Sequence, residues 1–184
     1  MKKGLFSCLI TLCFLPFIRL SAQEETVSPN MPVDPESQKI MYQEVIQEAG
    51  DPGYLYNKAM EWFNDYYTNP TSVFKIQDKV NGKIEGTGRM NIYYSDDKGN
   101  KLHAGLIIYT IRLEFKNDRY RYTVTDFNLK GASRFPLEKW LNKEDPSFNP
   151  RWNNYLHQVD TTMQRLTSTL VEKMKHVEEK TDEW

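Results

Sequence analysis

Alternation of apolar and polar side chains over four consecutive segments constrains the fold of this chain more than any other feature. In the second segment, Ile84 lies on one face, whereas Glu85 and Arg89 lie on the other. A period of two is typical of β-strands that have one covered face and one face in solvent. Turn signals such as Asn81-Gly82 separate the segments and favour hairpins. The predicted strands are residues 73–80, 83–94, 102–116 and 119–129.

Two helices and one more strand flank this meander. Asp51 and Pro52 are typical of a helix start, because Asp can cap free amide groups and Pro at the first helical position loses no hydrogen bond. Pro70 ends this first helix, since the residue before a proline avoids helical conformation. Apolar residues at steps of three and four then predict a long final helix over residues 151–179. A first strand is predicted over residues 37–48.

The resulting order β-α-β-β-β-β-α predicts an α+β fold. Each helix has a single apolar stripe, so both are expected to cover the same face of a five-stranded antiparallel sheet. Residues 130–150 are predicted to be an irregular crossing loop between the last strand and the final helix.

Two segments resemble a known family. The sequence GKIEGTG at residues 82–88 and the sequence FKNDRYRYTVTDF at residues 115–127, together with the preceding helix, are similar to a domain family of unknown function. This family occurs in exported proteins of Bacteroidota and has a TATA-box-binding-protein-like, helix-grip-like fold. The resemblance covers roughly residues 37–128 and implies the spatial strand order 1-5-4-3-2. It implies no catalytic residues, and a shared fold is no evidence of DNA binding.

The first 22 residues have the order of a secretory signal peptide. Lys2 and Lys3 precede an apolar run over residues 5–18, and small residues at Ser21-Ala22 come before polar Gln23. The apolar run is short for a membrane span. We therefore expect export to the periplasm or beyond, with cleavage near Ala22–Gln23 and no membrane span afterwards.

Composition limits the classes of function. Both cysteines lie in the predicted signal peptide, so thiol catalysis and thiolate metal sites are excluded from the mature chain. The 24 basic residues include three from the signal, and 25 acidic residues oppose them. A mildly acidic domain is a poor candidate for nucleic-acid binding. Residues 23–36 contain three prolines and are predicted to be a disordered leader before a single domain over residues 37–180.

No motif in the sequence carries a recognisable reaction or cofactor. The histidines His103, His157 and His176 are scattered, and their spacing fits no metal site. Residues 96–100 lack the ligand alternation of a calcium loop and are predicted to be a solvated turn. Gly86-Thr87-Gly88 lies inside a strand, where the two glycines are expected to let a helix approach or the sheet bend. We therefore expect a protein that is not an enzyme and has no cofactor and no metal.

Two sets of residues are candidate binding sites. The first lies on the uncovered sheet face, where arginines could stack and form paired hydrogen bonds with an acidic partner or glycan: Arg89, Arg112 and Arg121, with Tyr93. Pairing of these arginines with Glu85 and Glu114 is the alternative. The second set would line a cavity between the final helix and the sheet: Trp62, Tyr66 and Tyr155.

These observations favour an exported, non-enzymatic domain that binds a partner or is structural in the cell envelope. An envelope protein or a glycan is the expected partner. The alternative is a small-molecule carrier or a hydrolytic enzyme that uses the helix–sheet cavity.

The export prediction can be checked by N-terminal sequencing of the protein from cell-envelope fractions. We expect the mature chain to begin near Gln23, because the small residues before it form the cleavage site. An intact Met1 in these fractions would contradict export by this route.

Overall fold

The computed structural model describes residues 29–175. The predicted signal peptide, residues 23–28 of the predicted leader and residues 176–179 of the predicted final helix lie outside this range. Short 3-10 turns at Pro70–Ser72 and Leu137–Leu141 join the main elements. The strands and helices are β1 (Tyr42–Gln47), α1 (Pro52–Tyr66), β2 (Phe74–Asp78), β3 (Lys83–Ser95), β4 (Lys101–Lys116), β5 (Arg119–Leu129), β6 (Phe135–Pro136) and α2 (Arg151–Met174).

The strands form one antiparallel sheet in the order β1-β5-β4-β3-β2. The predicted α+β class, the five-stranded order and the two helices are therefore confirmed. Helix α1 connects one edge strand, β1, to the other, β2. The additional strand β6 is only two residues long and pairs with Asn128 and Leu129 at the end of β5.

Helix α1 begins as its capping residues predict. The Asp51 side chain accepts a hydrogen bond from the Tyr54 main-chain N–H at 2.8 Å, and Pro52 occupies the first turn. The helix ends at Tyr66, shortly before Pro70. Its buried side chains are Leu55, Tyr56, Ala59, Trp62 and Phe63.

Helix α2 provides the largest apolar stripe of the core and is held on both flanks. On one flank, the Tyr42 hydroxyl of β1 donates to Asp160 at 2.7 Å. On the other, Gln158 bonds to the main chain of Tyr93 in β3. Two strands separate β1 from β3, so the sheet curves around the helix. The fully buried side chains of α2 are Leu156, Val159, Met163, Leu166, Leu170 and Met174.

Gly88 makes room for an aromatic ring and not for a helix. It lies opposite Tyr109 on β4, and a Cβ atom at position 88 would meet that ring at 2.2 Å. The Tyr109 hydroxyl lies 3.2 Å from the Tyr67 hydroxyl at the end of α1. The glycine at position 88 is therefore required because the Tyr109 ring on the neighbouring strand occupies the space that a side chain would need.

The prediction of a disordered leader is wrong for residues 29–36. Met31 is buried in the core, and the Asp34 main-chain N–H donates to the Lys39 carbonyl at 2.9 Å. Asp34 also accepts from Ser37, so the proline- and acid-rich stretch closes a turn. Asp followed by Pro is a common turn sequence, and this local chemistry outweighs the composition. The first strand consequently begins at Tyr42 and not at residue 37.

Residues 130–150 are more ordered than the predicted irregular loop. Strand β6 and the turn Leu137–Leu141 lie within this stretch. Trp140 of that turn is buried, and its ring stacks on Trp152 of α2 at 5.8 Å. The crossing segment therefore anchors the first turn of α2 through aromatic packing.

No helix within residues 29–175 combines the length and the apolar character needed to span a bilayer.

Shortening the apolar stripe of α2 should destabilise the fold strongly. Leu166→Ala and Leu170→Ala each remove a fully buried side chain, so each should lower the free energy of unfolding by about 2–5 kcal/mol. Urea denaturation measures the loss, and exposed Ser168→Ala on the same helix is the control. Losses below about 0.5 kcal/mol at both leucines, the scale of surface changes, would show that α2 is not docked.

The buried tyrosine pair should make the protein sensitive to alkaline pH. Burial raises the pKa of Tyr109 to about 12 and also raises the pKa of Tyr67. Because folding raises both values, the stabilisation is fully present below the ordinary tyrosine pKa of about 10 and is lost as pH rises towards 12.

Denaturation at a series of pH values, with absorbance titration of tyrosinate, measures this effect. Tyr67→Phe should reduce the loss of stability between pH 10 and 12. A Tyr109 phenol that titrates near its ordinary pKa in the folded protein would be inconsistent with the buried pair.

Candidate functional site

The predicted arginines lie on the sheet face that points away from the helices. Cross-strand register divides this face into rows. One row contains Lys83, Glu114 and Arg121, and the next contains Glu85, Arg112 and Thr123. A third row consists of threonines alone: Thr87, Thr110 and Thr125.

Two of the three arginines are paired with carboxylates on neighbouring strands. The Arg112 Nε donates to Glu85 at 2.8 Å, and Arg121 donates to Glu114 from Nε at 3.0 Å and from Nη2 at 2.6 Å. The hydrogen bond from Arg112 is the main cause that lowers the pKa of the Glu85 carboxyl. The cross-strand pairing considered as the alternative is therefore present at these positions.

Arg89 and Tyr93 lie apart from these pairs. Arg89 is two rows from Arg112, which corresponds to roughly 13 Å along the strands, and Tyr93 is another two rows further on. Arg89 is exposed. The structure thus places the four predicted residues along the sheet and does not bring them into one cluster.

The aromatic residues of the predicted cavity also separate into two places. Trp62 is buried, stacks on Tyr66 at 5.0 Å and donates to Thr169 near the C-terminal end of α2. Tyr155 lies near the start of α2, where its ring is 5.8 Å from that of Trp140. Fourteen helical residues between Tyr155 and Thr169 span roughly 21 Å. The three rings therefore cannot line one small-molecule cavity.

A groove that was not predicted runs between α2 and the edge of β3. Strand β2 covers only the first part of β3, because its pairing ends opposite Gly86. Beyond this point, β3 is an edge strand, and α2 passes alongside it. Two adjoining open hollows of about 430 and 500 Å³ lie between the two elements. We call this the α2–β3 groove; its lining residues are Met90, Asn91, Tyr93, Tyr94, Ser95, Lys101, Arg151, Asn154, Tyr155, His157, Gln158, Thr161, Thr162 and Arg165.

Cations and tyrosines dominate the groove. Lys101 Nζ lies 4.2 Å from the centre of the Tyr93 ring, and the Arg151 guanidinium lies 4.9 Å from that of Tyr94. These distances are typical of cation–π contacts. Among residues 29–175, no Asp or Glu lines either hollow. The groove therefore offers positive charge, hydrogen-bond donors and aromatic surface together.

Arg165 adds a further cation at the α1 end of the groove. It lies beside Tyr66, whose pKa is raised by burial and lowered in part by this guanidinium. Arg165 is itself exposed. One side of α2 thus presents Arg151 and Arg165 about four helical turns apart.

Gln158 ties the groove to the strand edge. Its Oε1 accepts from the Tyr93 main-chain N–H at 3.0 Å, and its Nε2 donates to the Tyr93 carbonyl at 2.7 Å. The amide side chain carries an acceptor oxygen beside a donor NH2 group, in the spacing of a peptide group, so it occupies the place of a neighbouring strand, and its second N–H donates to Asn154. The apolar periodicity of the helix by itself assigns Gln158 to the solvent face of α2. The sequence does contain a signal for this role. The strand predicted before β3 is shorter than β3, so part of the β3 edge needs another hydrogen-bonding partner.

Two side chains predicted from sequence to have no metal-binding role, Asp96 and His103, form local hydrogen bonds. The Asp96 carboxyl accepts from the Asn100 side-chain amide and from the main-chain N–H groups of Asn100 and Lys98, which lowers its pKa and forms the predicted turn. His103 lies 3.0 Å from the Asn91 amide oxygen. Within residues 29–175, no group of three His, Cys, Asp or Glu side chains is placed to hold a metal ion.

Comparison with known proteins identifies the central part of the chain. Residues 42–130 match the model of a domain of unknown function, DUF4468, with a TBP-like fold. A comparison with curated proteins found no match.

Solved structures extend this similarity to the fold. A DUF4468 family protein from Bacteroides ovatus has a TM-score of 0.56 at 15% identity, and the similarity covers 76% of this chain and 90% of that one. A TBP-like protein from Parabacteroides distasonis has a TM-score of 0.53 at 14% identity, with 77% of this chain and 97% of that one covered. The structural similarity therefore covers more of the chain than residues 42–130. The predicted resemblance is therefore confirmed: residues 42–130 match the DUF4468 family, and the chain has the TBP-like fold.

Proposed function

We propose that this protein is an exported domain that acts in the cell envelope by binding an anionic partner in the α2–β3 groove, without catalysis. The observation that carries the proposal is the composition of the groove, which combines Lys101, Arg151 and Arg165 with three tyrosines and, in the part of the chain that the structure describes, no carboxylate. Arginine and tyrosine are enriched at binding surfaces, because both offer large contact area together with hydrogen bonds.

The order of charged, apolar and small residues at the N-terminus supports the proposed location. This order is typical of a signal peptide, and an exported chain encounters envelope proteins and acidic polymers. A domain with an acidic overall balance and a local cationic groove would select anionic partners at that groove without general attraction to polyanions.

The ionisable groups favour binding over catalysis. The carboxyl groups with shifted pKa values in the described range all have lowered values, and the largest cause in each case is a hydrogen bond within a turn or an ion pair: Asp34, Asp78, Glu85, Asp96 and Asp145. A general acid at neutral pH needs a raised carboxyl pKa. These groups instead stabilise turns and cross-strand contacts.

The groove is preferred to the two sites predicted from sequence. On the outer sheet face, Arg112 and Arg121 already donate to Glu85 and Glu114. In the predicted cavity, Trp62 packs against its neighbours in the core. The groove cations Lys101 and Arg151 instead lie over tyrosine rings, and no carboxylate within residues 29–175 forms an ion pair with either of them.

Crosslinking and affinity recovery from native envelopes, followed by mass spectrometry, tests the proposal. The double variant Arg151→Ser and Arg165→Ser should recover far less partner than the wild type, because it removes two groove cations. The matched control is Arg112→Ser with Arg121→Ser, which removes the same charge from the outer face. The groove variant should melt close to the wild-type temperature, since Arg151 and Arg165 are exposed and such charges contribute little to stability. The outer-face variant should melt slightly lower, because half-buried Arg112 is paired with Glu85.

Recovery that survives the groove variant and is lost in the outer-face variant would contradict the proposed site. It would assign binding to the arginines of the sheet face.

A further inference from the structure

The open edge of β3 has main-chain groups that point towards the α2–β3 groove. Alternate residues of a strand direct their N–H and C=O groups to the same side. On this side, the Thr87 N–H donates to the Val73 carbonyl at 2.8 Å, and both main-chain groups of Tyr93 are bonded to Gln158. Arg89 and Asn91 lie between these points and have the same orientation. Within residues 29–175, no strand pairs with this side of β3 at Arg89 or Asn91.

The length of this open edge suits a short extended segment. Thr87 and Tyr93 are six residues apart, which is about 20 Å in a strand. The Val73 carbonyl bounds the edge at one end, and the Gln158 amide bounds it at the other. The hollow of about 500 Å³ beside Met90 and Asn91 provides space next to the free main-chain groups.

The charges around the edge favour an acidic segment. Arg89 is an exposed residue of the edge strand, and Lys101 and Arg165 line the adjacent hollow. None of the described carboxylates, from residue 29 to residue 175, lines that hollow. An added strand directs every second side chain to the same face, so acidic residues at alternate positions could meet Lys101 and Arg165 in the hollow, whereas the Arg89 side chain points to the opposite, outer face. A charged residue on an open edge also discourages pairing between copies of the same strand, because like charges would meet.

We propose that the β3 edge binds an extended acidic peptide as an added strand, between the Val73 carbonyl and the Gln158 amide. This inference rests on the proposed function and specifies the class of its anionic partner. Main-chain hydrogen bonds to Arg89 and Asn91 would supply affinity for an extended backbone. Carboxylates near Lys101 and Arg165 would supply the selectivity.

Nuclear magnetic resonance with three synthetic octapeptides tests the inference. The probes are an alternating Thr-Glu peptide, an alternating Thr-Lys peptide, and the Thr-Glu peptide with two central prolines. The Thr-Glu peptide should bind and slow the hydrogen exchange of the Arg89 and Asn91 amides. The proline-containing peptide should bind about tenfold more weakly, because it loses main-chain donors. The Thr-Lys peptide should not bind.

Charge reversal separates specific docking from general attraction. Arg165→Glu should weaken binding of the Thr-Glu peptide at least tenfold, whereas Arg134→Glu should not, because Arg134 lies in the loop near Lys39, at the β1 side of the sheet. Equal losses in both variants would overturn the inference. Peptide binding without slower exchange at Arg89 and Asn91 would also overturn it, since the peptide would then lie elsewhere.

An oligomer of uronic acid, tested in parallel, distinguishes the failure of this inference from the failure of the proposed function. If the oligouronate binds in an Arg165-dependent manner and the Thr-Glu peptide does not bind, the strand-addition inference is wrong and the groove remains an anion-binding site. If neither probe binds and the groove variants still recover their envelope partner, both proposals fail.

Discussion

Burial of α2 against the curved sheet is the interaction on which the rest of the molecule depends. Six side chains of this helix are fully buried, and the sheet contributes the facing apolar rows. Burial of each such side chain provides about 1.5–3 kcal/mol. The sheet has one face in solvent, and its other, apolar face must be covered by α2 for the sheet to be stable. The polar contacts of Asp160 and Gln158 determine how the helix lies over the strands, since each bonds to a different side of the sheet.

The fold was largely predictable because its elements have strong local signals. Asp51 and Pro52 define the start of α1, and the period of two in β3 and β4 follows from one apolar and one solvated face. The strand order came from the family resemblance. Residues 29–36 and the segment around Trp140 have the composition of a loop, but the local turn at Asp34 and the burial of Met31 order the first, and stacking on Trp152 orders the second. Propensity and composition cannot report contacts of this kind.

The candidate site was much less predictable than the fold. Strand phase assigns a face to Arg112 and Arg121, but it does not give the cross-strand register that places each beside a glutamate. The groove depends on α2 passing along an edge that β2 leaves open, which is a property of the assembled molecule. Gln158 is polar and lies beside the apolar stripe, so periodicity alone assigns it to solvent. Its role follows only from the position of the Tyr93 main chain.

Indole rings hold α2 near both ends. Trp140 stacks against the first turn of the helix, and Trp62 of α1 bonds to Thr169 near its last turns. A helix held in this way has little freedom to shift along or away from β3. The α2–β3 groove would therefore have the same width before and after a partner enters it. A preorganised receptor loses little conformational entropy on association, so even a small contact area could support selective binding.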